Sequence, residues 1–598
     1  MKGKAIANRI ICAFLIISLT ISLTSCTLLP GRKAESGYTS YYLKAYLYNG
    51  EITTLDVLFI DGLNIPYINM QDYFENIFDS DFTTTASKGG VITVTGSNGS
   101  AVFNADNNTV TFDRYEDFIA CPLKNVDKND TIATKDYVVA GTSEQAPYTF
   151  DFGKYNIDII EEEGKVYMPI SSANLLVETT YEGALYYDGD IYFTETYSPY
   201  TWINQEKLLD DTAMDASLIE LNYNELCFMM DNIYGRPEKC YFSEAIARDG
   251  FDKALETYDD TTRTIRELLK SNNVLEYYYG LRLLELYLED GGHSSPASGY
   301  TGLMQEYDDS NVSKEYAKLN KEHDKGKIIN NATIANAMNL YDSTKNKDWY
   351  KQRTKYISLY PIIATARHQA LNQYSKQKSW DEGNITLYSN NDTLILSFDQ
   401  FSPDVFEPMM WTLNYANGHN IKNLVIDVTH NGGGSLSTLV WLINVLTSQK
   451  TAPGTSALTG NKLSIQALVD KNLDEEYDDT WDNDNYIGNL KLAILTSGIS
   501  YSCANILPTV LHDNKIPVLG ERSNGGTCDL IFHLNPYGVP IQVSGQNTFT
   551  NNNYERIDDG VPLDYTLIRE NASSVSDYLP LYDINTISKD MNEYYSRH

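Results

Sequence analysis

The sequence predicts an α/β domain built on a crossover βαβ sheet, preceded by a helical layer and by an N-terminal β-rich α+β module. Three changes of composition along the 598 residues predict this order. Residues 38–200 are rich in Thr, Val, Ile and Tyr and are divided by turn signals, which is typical of short strands. Residues 201–300 show helical periodicity, and residues 386–585 alternate apolar strands with helices.

The first 25 residues have the features of a secretory signal, because three basic side chains precede an apolar run that stops at Leu-Thr-Ser-Cys. This ending resembles the signal of bacterial lipoproteins, in which the Cys thiol takes a diacylglycerol. The resemblance implies a cleaved signal over residues 1–25, lipidation of Cys26 and a linker over residues 26–37. It also implies a protein anchored to the bacterial cell membrane on the extracytoplasmic face. An ordinary signal peptide or an uncleaved anchor is the alternative.

The composition is strongly acidic, with 80 Asp and Glu against 46 Lys and Arg and a formal net charge of -34. Such a chain repels nucleic acid, so we expect no nucleic-acid partner. Five cysteines lie beyond Cys26, an odd number without CxxC or Cys/His ligand spacing. We therefore expect no disulfide framework, no metal site and no cofactor.

The β-rich module contains one local pattern twice. "IPYINMQDYF" from Ile65 and "KVYMPISSANLL" from Lys165 each predict a strand and a short helix ahead of a hairpin. The repeats are degenerate, but the pattern is similar to copper-amine-oxidase N-terminal-like modules of secreted bacterial proteins. That resemblance implies a stalk or binding module without a copper site.

Residues 301–385 are polar and rich in Lys and Asn, which predicts a charged helical insertion ahead of the last domain. Residues 586–598 are predicted to be a C-terminal tail. Every candidate catalytic residue lies beyond residue 290, so we expect the β-rich module to be dispensable for chemistry.

The α/β part contains a glycine-rich strand-to-helix turn, "NLVIDVTHNGGGSLST". Glycines leave backbone amides unobstructed, and such a turn can direct N–H groups at a phosphate or at the oxyanion of an acyl-transfer intermediate. A simple tight turn is the alternative. No Lys-Ser/Thr pair follows the glycines as in a P-loop, which disfavours phosphate binding.

Ser502 stands between the strand "KLAILTSG" and a predicted helix, at the sheet edge where open α/β sheets place their sites. It is a candidate nucleophile, although Ser is also a preferred helix N-cap. His293, in the turn "YLEDGGHSSPASG", is a candidate base for a serine hydroxyl. A lone loop histidine can equally be structural.

These three segments, in this order, resemble the tail-specific, or carboxyl-terminal processing, peptidases and their tricorn-core and retinoid-binding-protein relatives. The resemblance covers residues 215–300 and 386–570 and implies a ClpP/crotonase-like catalytic domain that cleaves a peptide or protein substrate. The family's D-x-R-x-N-x-G-G loop appears as "DVTHNGGG", and its S-A-S-x-x-E segment as "SYSCAN". This alignment implies Ser502 as nucleophile, the amides of Gly434 and Cys503 as oxyanion donors, and Asn505 in the family's acidic position.

The same resemblance addresses the base and its supporting acid. The processing peptidases carry a Lys base after the glycine of G-E-x-T-x-G, whereas this chain reads "GERSNGGT" and lacks it. The tricorn-like branch instead takes a His before the catalytic sheet, which implies His293. The closing segment "YERIDDGVPLDYTL" implies Asp558 as the acid, with Glu555 and Asp559 as alternatives.

Two rival interpretations stay open. An inactive family member that binds peptides or other ligands is favoured by Asn505, by Pro508 inside the predicted helix and by Gly292 in place of a helper serine. A thiol nucleophile at Cys503 would lie one residue out of register. The sequence names neither the substrate nor the oligomeric state.

Overall fold

A computed structural model describes residues 37–47, 51–78, 82–87, 89–120, 133–142, 145–177, 182–195, 205–236, 239–380, 384–478, 482 and 485–598. In this part of the chain the strands form four sheets, two of seven strands and two of five. None of the helices described is both long and apolar enough to cross a bilayer. Cys26 and the signal lie outside the described residues.

The N-terminal region forms a seven-stranded sheet in the order β10-β11-β3-β2-β1-β13-β12 and a five-stranded sheet in the order β4-β5-β6-β7-β9. Its strands are β1 (Tyr38–Tyr46), β2 (Ile52–Ile60), β3 (Tyr67–Asn69), β4 (Thr83–Ser87), β5 (Val91–Gly96), β6 (Gly99–Asn104), β7 (Thr109–Phe112), β8 (Thr134–Gly141), β9 (Tyr148–Asp151), β10 (Ile160–Glu162), β11 (Lys165–Pro169), β12 (Glu182–Tyr187) and β13 (Asp190–Glu195). Its helices are α1 (Met70–Ile77), α2 (Tyr115–Ile119) and α3 (Ile170–Asn174). The two segments of the proposed repeat both form a strand followed by a helix, β3-α1 and β11-α3, and β3 pairs antiparallel with β11.

A helical layer follows. Its helices are α4 (Ile219–Asn232), α5 (Ser243–Asp249), α6 (Phe251–Thr257), α7 (Asp260–Leu269), α8 (Val274–Leu288), α9 (Ser298–Glu306), α10 (Asn311–Asp324), α11 (Ala332–Lys345), α12 (Asp348–Arg353) and α13 (Leu359–Leu371). Helix α8 is the centre of this layer, because nearly all of its side chains are buried. The N-terminal module and this layer share one apolar core.

The α/β domain is built on a seven-stranded sheet in the order β14-β15-β16-β17-β20-β21-β24. Neighbouring strands run parallel from β16 onward, and β14 and β15 form an antiparallel edge. The strands of this region are β14 (Ser375–Trp380), β15 (Ile385–Asn390), β16 (Thr393–Phe398), β17 (Asn423–Asp427), β18 (Thr451–Ser456), β19 (Lys462–Val469), β20 (Lys491–Thr496), β21 (Val518–Gly520), β22 (Cys528–Leu534), β23 (Pro540–Phe549) and β24 (Tyr565–Thr566). The helices are α14 (Phe406–Gly418), α15 (Leu436–Thr447), α16 (Cys503–Asp513), α17 (Val575–Tyr578) and α18 (Ile584–Arg597).

Alternate strand residues point to the two faces of this sheet, as the period of a strand requires. Ile426 and Ile494 pack against α14, α15 and α16 on one face. Val425 and Leu495 pack against α13, α17 and α18 on the other. The sheet is therefore the middle layer of three, which agrees with the prediction of a buried sheet between helices.

Two segments differ from their predicted roles. Residues 586–597 lie in α18, which buries Ile587 and Met591 against the sheet, so the segment predicted as a C-terminal tail is part of the packed domain. Within residues 301–385, α13 covers the same face and β14 extends the sheet, so only part of that segment is an exposed insertion.

The second five-stranded sheet crosses the predicted boundary at residue 200. Its order is β22-β23-β18-β19-β8, so a strand of the N-terminal region pairs with a strand of the α/β region. The β-rich module is thus joined to the remainder of the chain by a backbone ladder.

Candidate active site

Ser502 lies in the turn between β20 and α16, at the carboxyl end of a parallel strand. Its backbone has φ 55° and ψ −123°, a conformation that is costly for any residue with a Cβ. The Ser502 amide donates to the carbonyl of Gly525 at 2.9 Å. The hydroxyl makes no capping bond to α16. Ser502 therefore occupies the N-cap position without acting as a side-chain cap, and the strained turn is of the kind that exposes a nucleophile.

The glycine-rich loop lies directly against Ser502. A Cβ on Gly433 would stand 2.6 Å from Cβ of Ser502. The Gly433 amide donates to Oδ1 of Asn431 at 2.8 Å, and its carbonyl accepts from the Phe401 amide at 2.9 Å. These two bonds fix the loop beside the candidate nucleophile.

The Gly434 amide belongs to the glycine loop that contacts Ser502, and the Cys503 amide belongs to the next residue along the chain. Among the described residues no hydrogen bond from either amide is found. The Gly434 carbonyl accepts from Sγ of Cys503 at 3.2 Å, so the two residues are in contact. Two free amide donors near a serine can stabilise the oxyanion of an acyl-transfer intermediate.

The Cys503 thiol does not offer a second nucleophile. Burial raises its pKa to about 12, so the thiol stays protonated at neutral pH. Its side chain points back to the glycine loop. The thiol interpretation is therefore disfavoured.

His293 follows α8 and is 8% exposed. Its ring packs edge-on against the ring of Tyr501 with a centroid separation of 4.8 Å. In the described residues neither ring nitrogen makes a hydrogen bond, and Nδ1 is buried without a partner. Burial lowers the pKa of His293 to about 4, although Asp290 and Asp558 act in the opposite direction. The imidazole is therefore neutral near pH 7, the form that a general base requires.

Of the three candidate acids, only Asp558 is largely buried. Its side chain is 10% exposed, and Oδ1 accepts from Oγ1 of Thr527 at 2.7 Å. Burial acts to raise the pKa of Asp558, but the guanidinium of Arg236 and the Thr527 hydroxyl hold it below its usual value. Glu555 and Asp559 are exposed. The structure does not place Asp558 in hydrogen-bond contact with His293.

Arg236 was missed by the sequence reasoning. It follows α4, is only 2% exposed through its side chain, and forms an ion pair with Asp558 at 3.2 Å. Its Nη1 donates to the Tyr501 hydroxyl at 3.2 Å and to the Asp290 carbonyl at 3.3 Å. An arginine in "IYGRPEK" gives no local signal, because its partners lie 54 to 322 positions away in the sequence.

Gly525 and Gly526 occupy the place where the processing peptidases carry their lysine. A Cβ on Gly526 would stand 2.1 Å from the ring of Tyr501, and one on Gly525 would stand 2.1 Å from the Asp558 carbonyl oxygen. Both glycines have positive φ. The packing therefore leaves no room for a lysine here, in agreement with the inference from the motif.

Asn505, which stands in the family's acidic position, links helix α16 to two neighbouring segments by hydrogen bonds. Its Nδ2 donates to the carbonyl of Ile557 at 3.2 Å, and its Oδ1 accepts from Oγ of Ser523 at 2.5 Å. The side chain thereby ties α16 to the closing segment that holds Asp558. No cluster of three His, Cys, Asp or Glu side chains suited to a metal ion occurs among the residues that the structure describes.

A serine in a strained strand-to-helix turn beside a glycine loop, with a neutral histidine packed on the adjacent Tyr501 ring, is the kind of site that serine-type peptidases use. Residues 392–567, which hold the parallel sheet, the glycine loop, Ser502 and Asp558, match the model of Peptidase family S41. The similarity to that family lies in this segment, which is less than half of the chain. No curated protein matches the chain at significant similarity.

Solved structures resemble the chain only loosely. The photosystem II D1 C-terminal processing protease is 17% identical, with 34% of this chain and 48% of that chain covered and a TM-score of 0.25. A lipoprotein from Streptococcus agalactiae is 15% identical, with coverages of 42% and 86% and a TM-score of 0.25. The tricorn protease is 11% identical, with coverages of 95% and 60% and a TM-score of 0.27. This chain thus spans about half of the D1 processing protease, and likenesses this weak add no argument to the family match.

Proposed function

We propose that this protein is a cell-surface lipoprotein of the tail-specific and tricorn-like peptidases, which hydrolyses peptide bonds with Ser502 as nucleophile and His293 as base. The backbone of Ser502 carries the proposal, since it holds this residue in a strained turn directly against the glycine loop. The amides of Gly434 and Cys503 are the proposed oxyanion donors. The proposed catalytic domain has the ClpP/crotonase-like arrangement of that family.

The chemistry follows from these positions. Oγ of Ser502 attacks the carbonyl carbon of the scissile bond while its proton passes to the neutral imidazole of His293. The negative charge that develops on the carbonyl oxygen is stabilised by the two amides. The imidazolium gives its proton to the leaving amine, and water then hydrolyses the acyl-enzyme by the same route. His293 makes no hydrogen bond to Ser502 in this structure, and catalytic hydrogen bonds often shorten only when substrate binds.

The proposed substrates are peptides or proteins. The net charge of -34 disfavours nucleic acid and acidic polymers and favours neutral or basic peptides. No cofactor or metal is needed for this mechanism.

The test is a comparison of Ser502→Ala with Ser435→Ala. Ser435 lies at the end of the glycine loop and caps α15 through the Thr438 amide, so its loss should cost about 1 kcal/mol of stability without removing the nucleophile. Both variants are assayed on a fluorogenic peptide library and with a fluorophosphonate that reacts with activated serines. We expect Ser502→Ala to lose turnover and labelling and Ser435→Ala to keep both. A Ser502→Ala protein that still turns over peptides would overturn the proposal.

The alternative is an inactive member that binds peptides or other ligands. The buried Nδ1 of His293, which has no partner among the described residues, favours it, because an orienting acid normally holds that nitrogen. Wild-type protein that binds library peptides but neither cleaves them nor reacts with the fluorophosphonate would establish this function.

Membrane attachment is proposed to depend on lipid at Cys26. Two or three acyl chains hold a protein firmly, whereas one chain binds marginally. Cys26→Ala should move the protein from the membrane pellet to the soluble fraction, with Cys12→Ala in the signal as the matched control. Retention of Cys26→Ala in the pellet would contradict the lipid anchor.

A further inference from the structure

Arg236 connects three segments that the proposed mechanism uses. Its guanidinium contacts Asp558 in the closing segment, the hydroxyl of Tyr501 beside the nucleophile, and the carbonyl of Asp290 in the histidine turn. The Tyr501 hydroxyl also donates to the Asp290 carbonyl. One buried side chain therefore joins the nucleophile, base and acid segments.

The burial of this group limits what it can do. A guanidinium stays charged in proteins, and an arginine with 2% of its side chain exposed must have a compensating partner. Asp558 is that partner, and a planar fork can reach the carboxylate, the hydroxyl and the carbonyl at once. A lysine would carry the charge but could not hold all three acceptors in one geometry.

Tyr501 connects the Arg236 contacts to His293 and Ser502. Its ring is enclosed by Gly291, by Gly526 and by the ring of His293, because a Cβ on either glycine would stand within 2.5 Å of it. Ser502 is the next residue. A displacement of the Tyr501 ring would therefore displace the histidine turn and the nucleophile together.

We propose that Arg236 is a positioning residue, which holds Asp558 and Tyr501 in place so that His293 and Ser502 stay in register. The proposal rests on the proposed peptidase function. It predicts that Arg236 acts on turnover rather than on substrate binding, because the guanidinium is buried behind the reacting groups.

The charge of Arg236 also gives the proposal a pH signature. The titratable groups that influence Asp558 are Arg236, Arg556, His293 and Cys528, and those that influence His293 are Asp290, Arg236 and Asp558. The positive charge of Arg236 lowers the pKa of both Asp558 and His293. Without it both values rise, so the active form, with Asp558 ionised and His293 neutral, is lost at a higher pH.

The experiment compares Arg236→Met, Arg236→Lys and the control Arg266→Met. Arg266 pairs with Asp252 in the helical layer, at 2.7 Å, and touches none of the site segments. For each variant, kcat, KM and the pH dependence of fluorophosphonate labelling of Ser502 are measured. We expect Arg236→Met to lower kcat by roughly 100-fold with KM changed less than about 3-fold, and to move the acid limb up by about 1 pH unit. Arg236→Lys should return the acid limb of the pH profile to its wild-type position but recover only part of kcat. Arg266→Met should change none of these quantities.

Failure of the inference is separable from failure of the proposed function. If wild type labels but Ser502→Ala does not, the function stands. If the acid limb of the pH profile then lies at the same pH in Arg236→Met and in wild type, the inference is overturned and the proposed function is not. If Arg236→Met does not fold, Arg236→Lys provides the test. A full kcat in Arg236→Lys would show that the positive charge is sufficient and that the planar guanidinium does not position Tyr501. If wild type does not label, the acid-unfolding midpoint of Asp558→Asn still reports the buried pair, and an unchanged midpoint would overturn the inference.

Discussion

Gly433 lacks a side chain where Ser502 needs the space. A Cβ at Gly433 would lie 2.6 Å from Cβ of Ser502 and 3.0 Å from its Oγ, and the residue has φ +111°. Gly432, its neighbour, has only the Tyr360 hydroxyl at 3.2 Å from a Cβ and is exposed. The two glycines therefore form a matched pair for separating loop stability from the position of the nucleophile.

Gly433→Ala should displace Ser502 and strain the loop by about 1–3 kcal/mol, whereas Gly432→Ala should be nearly neutral. We expect Gly433→Ala to lower kcat at least about 10-fold, and to lower the melting temperature by a few degrees. Peptide turnover and calorimetry measure the two effects. Equal activity in the two variants would contradict the placement of the glycine loop against Ser502.

His293 sets the expected pH dependence of the free enzyme. A solvent-exposed histidine base would give an acid limb near pH 6 to 7, whereas burial lowers the pKa of His293 to about 4. Because the neutral form is the base, kcat/KM should stay high until the pH approaches that value. Between about pH 6.5 and 4 the unfolded state binds a proton that the folded state does not. The free energy of unfolding should therefore decrease as the pH is lowered through this window.

Rate and melting profiles from pH 3.5 to 8 check this expectation, with His323→Ala as the control, because His323 lies on a surface helix beside Asp342. If the rate of wild type instead falls between pH 6 and 7, and this fall is absent in His293→Ala, the expectation is contradicted. The result would show that His293 is hydrated in the working enzyme.

At the scale of elements, the sequence predicted the sheet better than the connections around it. Strands such as β17 and β20 are short apolar runs bounded by turn signals, and their parallel order follows from the helices between them. Ser502, Gly434 and Asp558 were predicted from local motifs. The ion pair of Arg236 with Asp558 and the strand pair β8-β19 were not predictable, because each joins residues more than 300 positions apart. Contacts of that separation leave no periodic pattern in the local sequence.

Asn505 on α16 gives a prediction at this scale. Removing its side chain leaves the Ser523 O–H buried without an acceptor, at about 1–3 kcal/mol, whereas the Ile557 carbonyl still accepts from the Gly560 amide. Asn505→Ala should therefore lower the free energy of unfolding by about 1–3 kcal/mol, and should lower kcat because the closing segment carries Asp558.

Asn514→Ala is the matched control, since Asn514 lies at the other end of α16 and bonds Gln449 from a partly exposed position. Urea unfolding and peptide turnover compare the two variants. If Asn505→Ala and Asn514→Ala lose the same small amount of stability, the tie between α16 and the closing segment has no energetic weight.

At the scale of the whole molecule, the N-terminal region is integrated into the remainder of the chain. Ser171 and Ser172 donate to the buried carboxylate of Glu225 on α4, and His533 on β22 contacts the same carboxylate at 3.3 Å. The rings of Phe152 and Phe228 stack with centroids 4.4 Å apart. These contacts change the expectation that the β-rich module can be removed without consequence.

A truncated protein that begins near Thr201 should lose stability and activity together. Removal of β8 exposes the edge of β19, loss of Phe152 uncovers Phe228, and Glu225 loses two of its hydrogen-bond donors. Each buried aromatic ring contributes about 1.5–3 kcal/mol, so the sum exceeds the margin by which most domains are stable. The matched control begins at Gly37 and keeps every contact named above. Melting temperature, light scattering and peptide turnover compare the two proteins, and a well-folded, fully active chain from Thr201 would show that the module is only an appendage.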